Sequence, residues 1–282
     1  MRKHYYISFL VVIVFLMAGT RGEAFVPQTP HLLHLMVKKI KRPAAMTVVQ
    51  TRHIATAQRK DTETTPQASS SLGETLAYLF PDHLRSDTDS GKRFYVQSPD
   101  GFVSVLDGVV TDVEKSILTY YTDPLIYRDS EILLRQLGLA GIHVEDVSIE
   151  RFDGQICYFI GQRDSAQDSG PGLWIEKDHF FPVRYLVKKN NRVIDARYGN
   201  WQRVSKTWYP METRIFVDQQ LFVTISVARC ELKSGFLKSL FNVDQILSKY
   251  PKKTEAVQSD TGHRDRIEDL DKEIEDFSKL YD

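Results

Sequence analysis

From Glu74 to Leu232 the sequence repeats one figure, a short run rich in Val, Ile, Tyr and Phe followed by turn residues. The runs are Thr75–Phe80, Arg93–Gln97, Phe102–Leu106, His143–Phe152, Gln155–Gln162, Leu173–Lys177, Phe181–Lys188, Val193–Tyr198, Met211–Val217 and Leu221–Leu232. Between them stand Ser98-Pro99-Asp100-Gly101, Asp153-Gly154, Ser169-Gly170-Pro171-Gly172 and Asn190-Asn191. Branched and aromatic side chains suit a pleated surface. Parallel strands need a crossover of about a dozen residues or more, and most of these gaps are shorter, so the runs predict antiparallel hairpins. Asp153-Gly154, between two apolar runs, is the sharpest turn signal.

Alternate positions within the runs are apolar. Leu76, Tyr78 and Phe80 share a face, as do Phe181, Val183, Tyr185 and Val187, then Ile215 and Val217, then Leu221, Val223, Ile225 and Val227. Arg184, Glu212, Arg214, Thr224 and Ser226 fall on the other faces and are expected in water. One covered face and one wet face is the habit of antiparallel sheets. The pattern fits an ordinary packed core and equally a sheet curved over an apolar ligand space.

Little else in the chain can cover that face. Apolar residues at 32, 33, 36, 37 and 40 predict a helix from Thr29 or Pro30 to Lys41, stopped by Pro43. A strand is expected from Met46 to Ala57 and a polar loop over 60–71. Asp129 caps a second short helix that ends at Gly138, and Val113 to Tyr121 is a third candidate. A linker over 251–262 leads to an acidic amphipathic helix over 263–282, with Ile267, Leu270, Ile274, Phe277 and Tyr281 on one stripe. Such a stripe must dock to be stable, on the mouth of the cavity or on a partner.

The first residues read as a secretory leader. Met1-Arg2-Lys3-His4 is basic, Tyr5 to Ala18 is apolar, and Gly22-Glu23-Ala24 offers small residues at a cleavage site. The apolar run is short for a membrane span. Cleavage after Ala24 removes Arg2, Lys3, Arg21 and Glu23, leaving 258 residues with 34 basic and 36 acidic side chains. A near-neutral chain lacks the positive field that nucleic acid requires. Cys157 and Cys230 both fall in apolar runs, where thiols commonly serve as small buried side chains, and are expected to stay unpaired.

Several stretches together resemble the periplasmic carriers and sorting proteins of outer-membrane lipoproteins, the LolA/LolB-like group. They are the opening helix with the strand Met46–Gln58; Leu79-Phe80-Pro81-Asp82-His83-Leu84-Arg85-Ser86-Asp87; and Val103-Ser104-Val105-Leu106-Asp107-Gly108. The stretch from Gly172 through Trp174, Glu176 and Pro182 to Arg184 looks like the family's Trp-acid-turn-Pro-Arg hairpin, and Trp208-Tyr209-Pro210 starts a strand pair ending near Leu240-Phe241. The resemblance covers 29–247. It implies an α+β fold, mostly antiparallel β: a half-open β-barrel lidded by short helices over an apolar cavity for acyl chains. The implied wall is Leu76, Tyr78, Phe80, Phe94, Val96, Trp174, Phe181, Tyr185, Ile215, Val217, Val223 and Ile225. The implied partners are a lipid or acylated lipoprotein, with an inner-membrane donor complex and an outer-membrane acceptor, for a monomeric protein. In the carriers a basic residue before the strand-end proline helps hold the lid closed; Phe80 stands there, which points to a broader lipid-binding relative. The acidic tail helix is not a family part, and it leaves open a periplasmic sensor or interaction module on the same fold.

Enzyme chemistry finds no foothold in the motifs. There is no His-Glu-x-x-His, Gly-x-Ser-x-Gly or phosphate-cradling Gly loop. His31 and His34 lie one helical turn apart without a third ligand at a recognisable spacing. Cys157 has no base beside it, and Asp178-His179 reads as a turn. The expectation is a binding protein with no cofactor and no metal. If the leader reading is right, sequencing the N-terminus of the secreted protein yields Phe25; an intact Met1 in the membrane fraction refutes it.

Overall fold

The computed structural model describes residues 26–55, 71–164 and 169–252. The expected leader, all of the linker beyond Lys252 and the tail helix over 263–282 lie outside these residues. Helix α1, Thr29–Ile40, carries Pro30 in its first turn and buries Leu32, Leu33, Met36 and Ile40. It stops where Lys41 takes a φ of 61°, just before Pro43.

The strands are β1 Ala45–Ile54, β2 Ser71–Leu79, β3 His83–Thr88, β4 Arg93–Ser98, β5 Gly101–Leu106 and β6 Val109–Asp112, then β7 Val147–Phe152, β8 Gln155–Arg163, β9 Ser169–Glu176, β10 Pro182–Lys189, β11 Arg192–Val204, β12 Thr207–Val217 and β13 Gln220–Lys233. All 13 form one sheet in the order β6-β5-β4-β3-β2-β1-β13-β12-β11-β10-β9-β8-β7. Each is antiparallel to its neighbours. Two meanders are thus joined at one seam, where β1 pairs with β13 over Ala45↔Lys233 to Ile54↔Val223 around a bulge at Val49/Gln50.

This order dictates the helical layer. The chain leaves the middle of the sheet at β1 and reaches one edge at β6. It re-enters at the opposite edge at β7. Twelve strand spacings put the edges of a flat sheet about 58 Å apart, and curling into a half-barrel shortens the crossing. Residues 113–146 make it, through a 3-10 helix Ile117–Thr122 and the helices α2 Asp123–Ile126 and α3 Ser130–Leu139, whose cap Asp129 accepts from the amides of Glu131 and Ile132. These pack with α1 against the concave face, where Leu33, Met36, Leu118, Leu125, Leu133 and Leu137 meet Leu76, Ile175, Ile215 and Ile225 in one core.

The outer face is not uniformly wet. A second 3-10 helix, Lys238–Phe241, and α4, Val243–Lys249, neither evident from periodicity, place Phe241, Val243 and Ile246 on Val96, Val103, Val105 and Val110. At the far end Cys157, Phe159, Trp174, Val183 and Leu186 form a third cluster. Arg184, expected in water, lies 4.4 Å over the Trp174 ring and is held there by Asp195 at 2.9 Å. Glu212 and Arg214 are half exposed, as expected.

Two further expectations are corrected. Ser169-Gly170-Pro171-Gly172 is not a turn but the first half of β9, in register with β8 through Gly161↔Gly172. A Cβ on Gly172 would lie 2.1 Å from Phe159 Cε2, so the bare backbone is what lets Phe159 stack on Trp174 at 4.4 Å. Strands β3 and β6 also escaped the apolar pattern. In β3 the inward residues include Ser86 and Thr88, which face a polar part of the interior described below.

Cys157 is buried on β8, and Cys230 is half-buried on β13; both are free thiols. Five strand spacings separate them, about 24 Å along the sheet, against the roughly 7 Å limit for a bridge. Burial pushes their pKa values up to about 11 and about 12. Native protein is expected to react slowly with a thiol reagent, and unfolded, unreduced protein to titrate two thiols; none would refute the assignment.

Candidate functional site

Strand parity decides which expected wall residues face the helical layer. Leu76, Tyr78, Tyr185, Ile215, Val223 and Ile225 do, each no more than 1% exposed, with Val217 beside them at 7%. Phe80 and Phe181 border the same core, half-buried. Phe94, Val96 and Trp174 do not. Tyr95 and Gln97 pair with the inward Ser86 and Leu84, so Phe94 and Val96 point outward beneath α4. Trp174 lies between the inward Leu173 and Ile175 and points outward as well. Successive side chains on a strand oppose one another, so these three could not share a wall with their neighbours.

Over these residues the concave side is closed, and a cleft of about 190 Å³ opens only at its rim, beside Tyr120, Leu139 and Val187. A void wide enough for a methylene chain would leave accessible area on its walls, and these side chains have almost none. What fills the space is α1 and the crossing helices. The question for a ligand is therefore how that layer is fastened.

Its main fastening is Arg128, between α2 and α3, which is 0% exposed. Its Nε donates to Leu125 O at 2.9 Å, Nη1 to Lys41 O at 2.8 Å and to Thr207 Oγ1, and Nη2 to Trp208 O at 3.2 Å. The guanidinium lies 4.9 Å over the Phe80 ring. It thereby ties the crossing segment to the end of α1, the start of β12 and the end of β2. Burial lowers its pKa to about 10. Lesser ties are Tyr198 Oη to Tyr121 O at 2.7 Å, Tyr185 Oη to Asp123 Oδ2 at 3.3 Å, and Thr29 Oγ1 to Val144 O at 2.5 Å. Asp123 also pairs with Lys115.

Under β1–β4 the interior is polar. Glu74 accepts from Arg52 Nε and Gln50 Nε2, each at 2.5 Å, and from Ser86 Oγ at 2.7 Å. Arg52 and Gln50 also donate to Tyr121 Oη, at 3.2 and 3.1 Å. Arg52 and Glu74 are each 3% exposed. A cleft of about 10 Å³ beside them, bordered by Tyr95 and Thr119, has room for about one water. Sequence reading missed Arg128, Arg52, Glu74 and Tyr121. Arg128 bonds mostly to backbone carbonyls, which leave no trace in a side-chain pattern, and the Arg52–Glu74 pair joins positions 22 apart. His31 and His34 are exposed on α1. Among the described residues no group of three His, Cys, Asp or Glu gathers to hold a metal.

Burial holds Tyr78, Tyr95, Tyr185, Tyr198 and Tyr209 well above the ordinary phenol value of 10.0. The unfolded chain sheds these protons first, so stability is whole below pH 10 and falls as pH rises above it. Each phenol that the fold keeps neutral adds to that loss. Cooperative loss of circular dichroism together with the rise of tyrosinate absorbance is expected between about pH 10 and 11; phenols ionising near pH 10 in a protein that stays folded would refute their burial.

No family model and no curated protein matches the sequence. Solved structures do match it. An outer membrane lipoprotein-sorting protein domain from Vibrio parahaemolyticus superposes with a TM-score of 0.52 at 12% identity, covering 77% of this chain and 97% of that one. A DUF1329 family protein from Desulfovibrio piger gives 0.53 at 12% identity, over 78% and 100%. A LolA superfamily protein from Nitrosomonas europaea gives 0.47 at 10%, over 78% and 100%. The fold of this chain is thus shared with that sorting-protein domain and with the DUF1329 protein, a half-open antiparallel barrel lidded by short helices.

Proposed function

We propose that this protein carries acyl chains, those of a lipid or of an acylated lipoprotein, beneath its sheet, and that it works in the periplasm as a monomer. The observation that supports this most is the apolar concave face covered by one layer of short helices, fastened largely through Arg128. Moving that layer exposes Leu76, Tyr78, Tyr185, Ile215 and Ile225 together, a continuous apolar floor of the kind that binds hydrocarbon. The likeness to a lipoprotein-sorting domain and the leader-like N-terminus agree with it. Loading from an inner-membrane donor and release to an outer-membrane acceptor fit the same reading, which assigns no chemistry, only holding and release.

A second reading is favoured by the filled interior. A protein whose concave side stays packed serves as a periplasmic interaction module, with its outer surface as the working part.

Native mass spectrometry of the purified protein separates the two: co-purified lipid supports the carrier, and its absence supports the module. A variant sharpens the test. Arg128→Met keeps the bulk but leaves the carbonyls of Leu125, Lys41 and Trp208 without this donor, at about 1–3 kcal/mol for each that stays buried and unpaired. Uptake of an apolar fluorescent fatty-acid probe is expected to speed up at least tenfold, while Ile225→Asp, placing a carboxylate on the floor, weakens binding. A folded Arg128→Met protein with unchanged uptake would overturn the proposed opening.

A further inference from the structure

One end of the molecule gathers positive charge and aromatic rings. Thr207 Oγ1 donates to Ile40 O at 2.7 Å and to Lys41 O at 3.2 Å, which draws the β11–β12 turn against the end of α1. Lys38, Lys39, Lys41 and Arg42 therefore share this end of the molecule with Arg203, near the end of β11, and Lys206 of the turn. All but Lys39 are exposed. Among the described residues only Arg42 of the six has a carboxylate within salt-bridge distance, Asp129 at 3.3 Å. Yet the whole chain is formally neutral, with 37 basic and 37 acidic residues, so this excess is local.

The aromatic part adjoins it. Phe181 stacks on Trp201 with centroids 4.8 Å apart and planes 6° from parallel, and Trp208 lies 5.1 Å from Phe181 on a tilt. Lys39 Nζ sits 5.2 Å from the Phe181 centroid and 5.3 Å from that of Trp208. All three rings are half-buried, and the indole N–H of Trp201 is itself buried.

We propose that this end docks the protein on an anionic phospholipid surface. Lysines on flexible stems beside half-exposed indoles make up the chemistry of the bilayer interface: the rings settle at headgroup depth, and each basic side chain adds attraction to anionic lipid. An acidic peptide would use the charges but has no need of the stacked rings. The proposal goes beyond the carrier reading and holds whether or not acyl chains enter the molecule. The docked end is also where Arg128 meets Lys41 and Trp208, so the fastening of the helical layer would lie next to the lipid.

The test uses the full chain without cargo, co-sedimented with vesicles of phosphatidylcholine alone or with added phosphatidylglycerol. Binding is expected only to the anionic vesicles, falling with salt, with a blue shift of tryptophan emission. Each basic side chain is worth about fivefold in partition. Replacing Lys38, Lys41 and Lys206 together by Gln, all exposed and clear of the core, is expected to weaken binding about a hundredfold. The matched control, Lys188, Lys189 and Lys233 to Gln, keeps it. Equal binding to both vesicle types, or equal loss in the control, overturns the proposal. So does tight binding of polyglutamate with no vesicle binding, which would make this a protein-docking face.

Discussion

A buried arginine with no carboxylate partner among the described residues holds the helical layer on the sheet. Taking a guanidinium out of water is costly, and Arg128 offsets the cost with carbonyls from three directions, one hydroxyl and a ring face. Each carbonyl belongs to a different element, so the charge is satisfied only when α1, β12 and the crossing segment are all in place. An apolar side chain there would pack but would not discriminate among near-closed arrangements. Directional bonds do, which makes closure a definite state rather than a range of collapsed ones.

The interior has two characters. Beneath β1–β4 it is polar and cross-bonded around Glu74; beneath β9–β13 it is mainly Leu, Ile, Val and Tyr. The crossing helices span both. Tyr121 bonds to the polar part through its hydroxyl and to Tyr198 through its carbonyl, so one turn of 3-10 helix couples the halves. Breaking the Glu74 network would strand buried charge, and sliding the layer off the other half breaks the bonds of Arg128 to Thr207 and Trp208 and those of Tyr185 and Tyr198 to the crossing segment.

Much of this fold is legible in the chain. Short apolar and aromatic runs located eleven of the described strands, and Pro30 and the cap at Asp129 marked the two longer helices of the concave side. What failed did so for physical reasons. Strand β3 reads as polar because Ser86 turns inward to a carboxylate that lies in another strand. Phe94 and Trp174 look like wall residues, since aromatic character says nothing about which side of a strand is the inside; only a neighbour of known orientation, Ser86 or Leu173, does. The glycines of β9 mimic a turn because a turn and a close approach by Phe159 both exclude a side chain. Arg128 was invisible because its partners are backbone.

The seam between β1 and β13 governs how the molecule comes into being. Ala45 waits for Lys233, 188 positions later, and contacts of that span make folding slow. Through most of synthesis β1 has a partner on one side only, with an open, apolar edge on the other. An edge of that kind is a template for joining other chains. The same delay leaves the two meanders unjoined until the last strand is made.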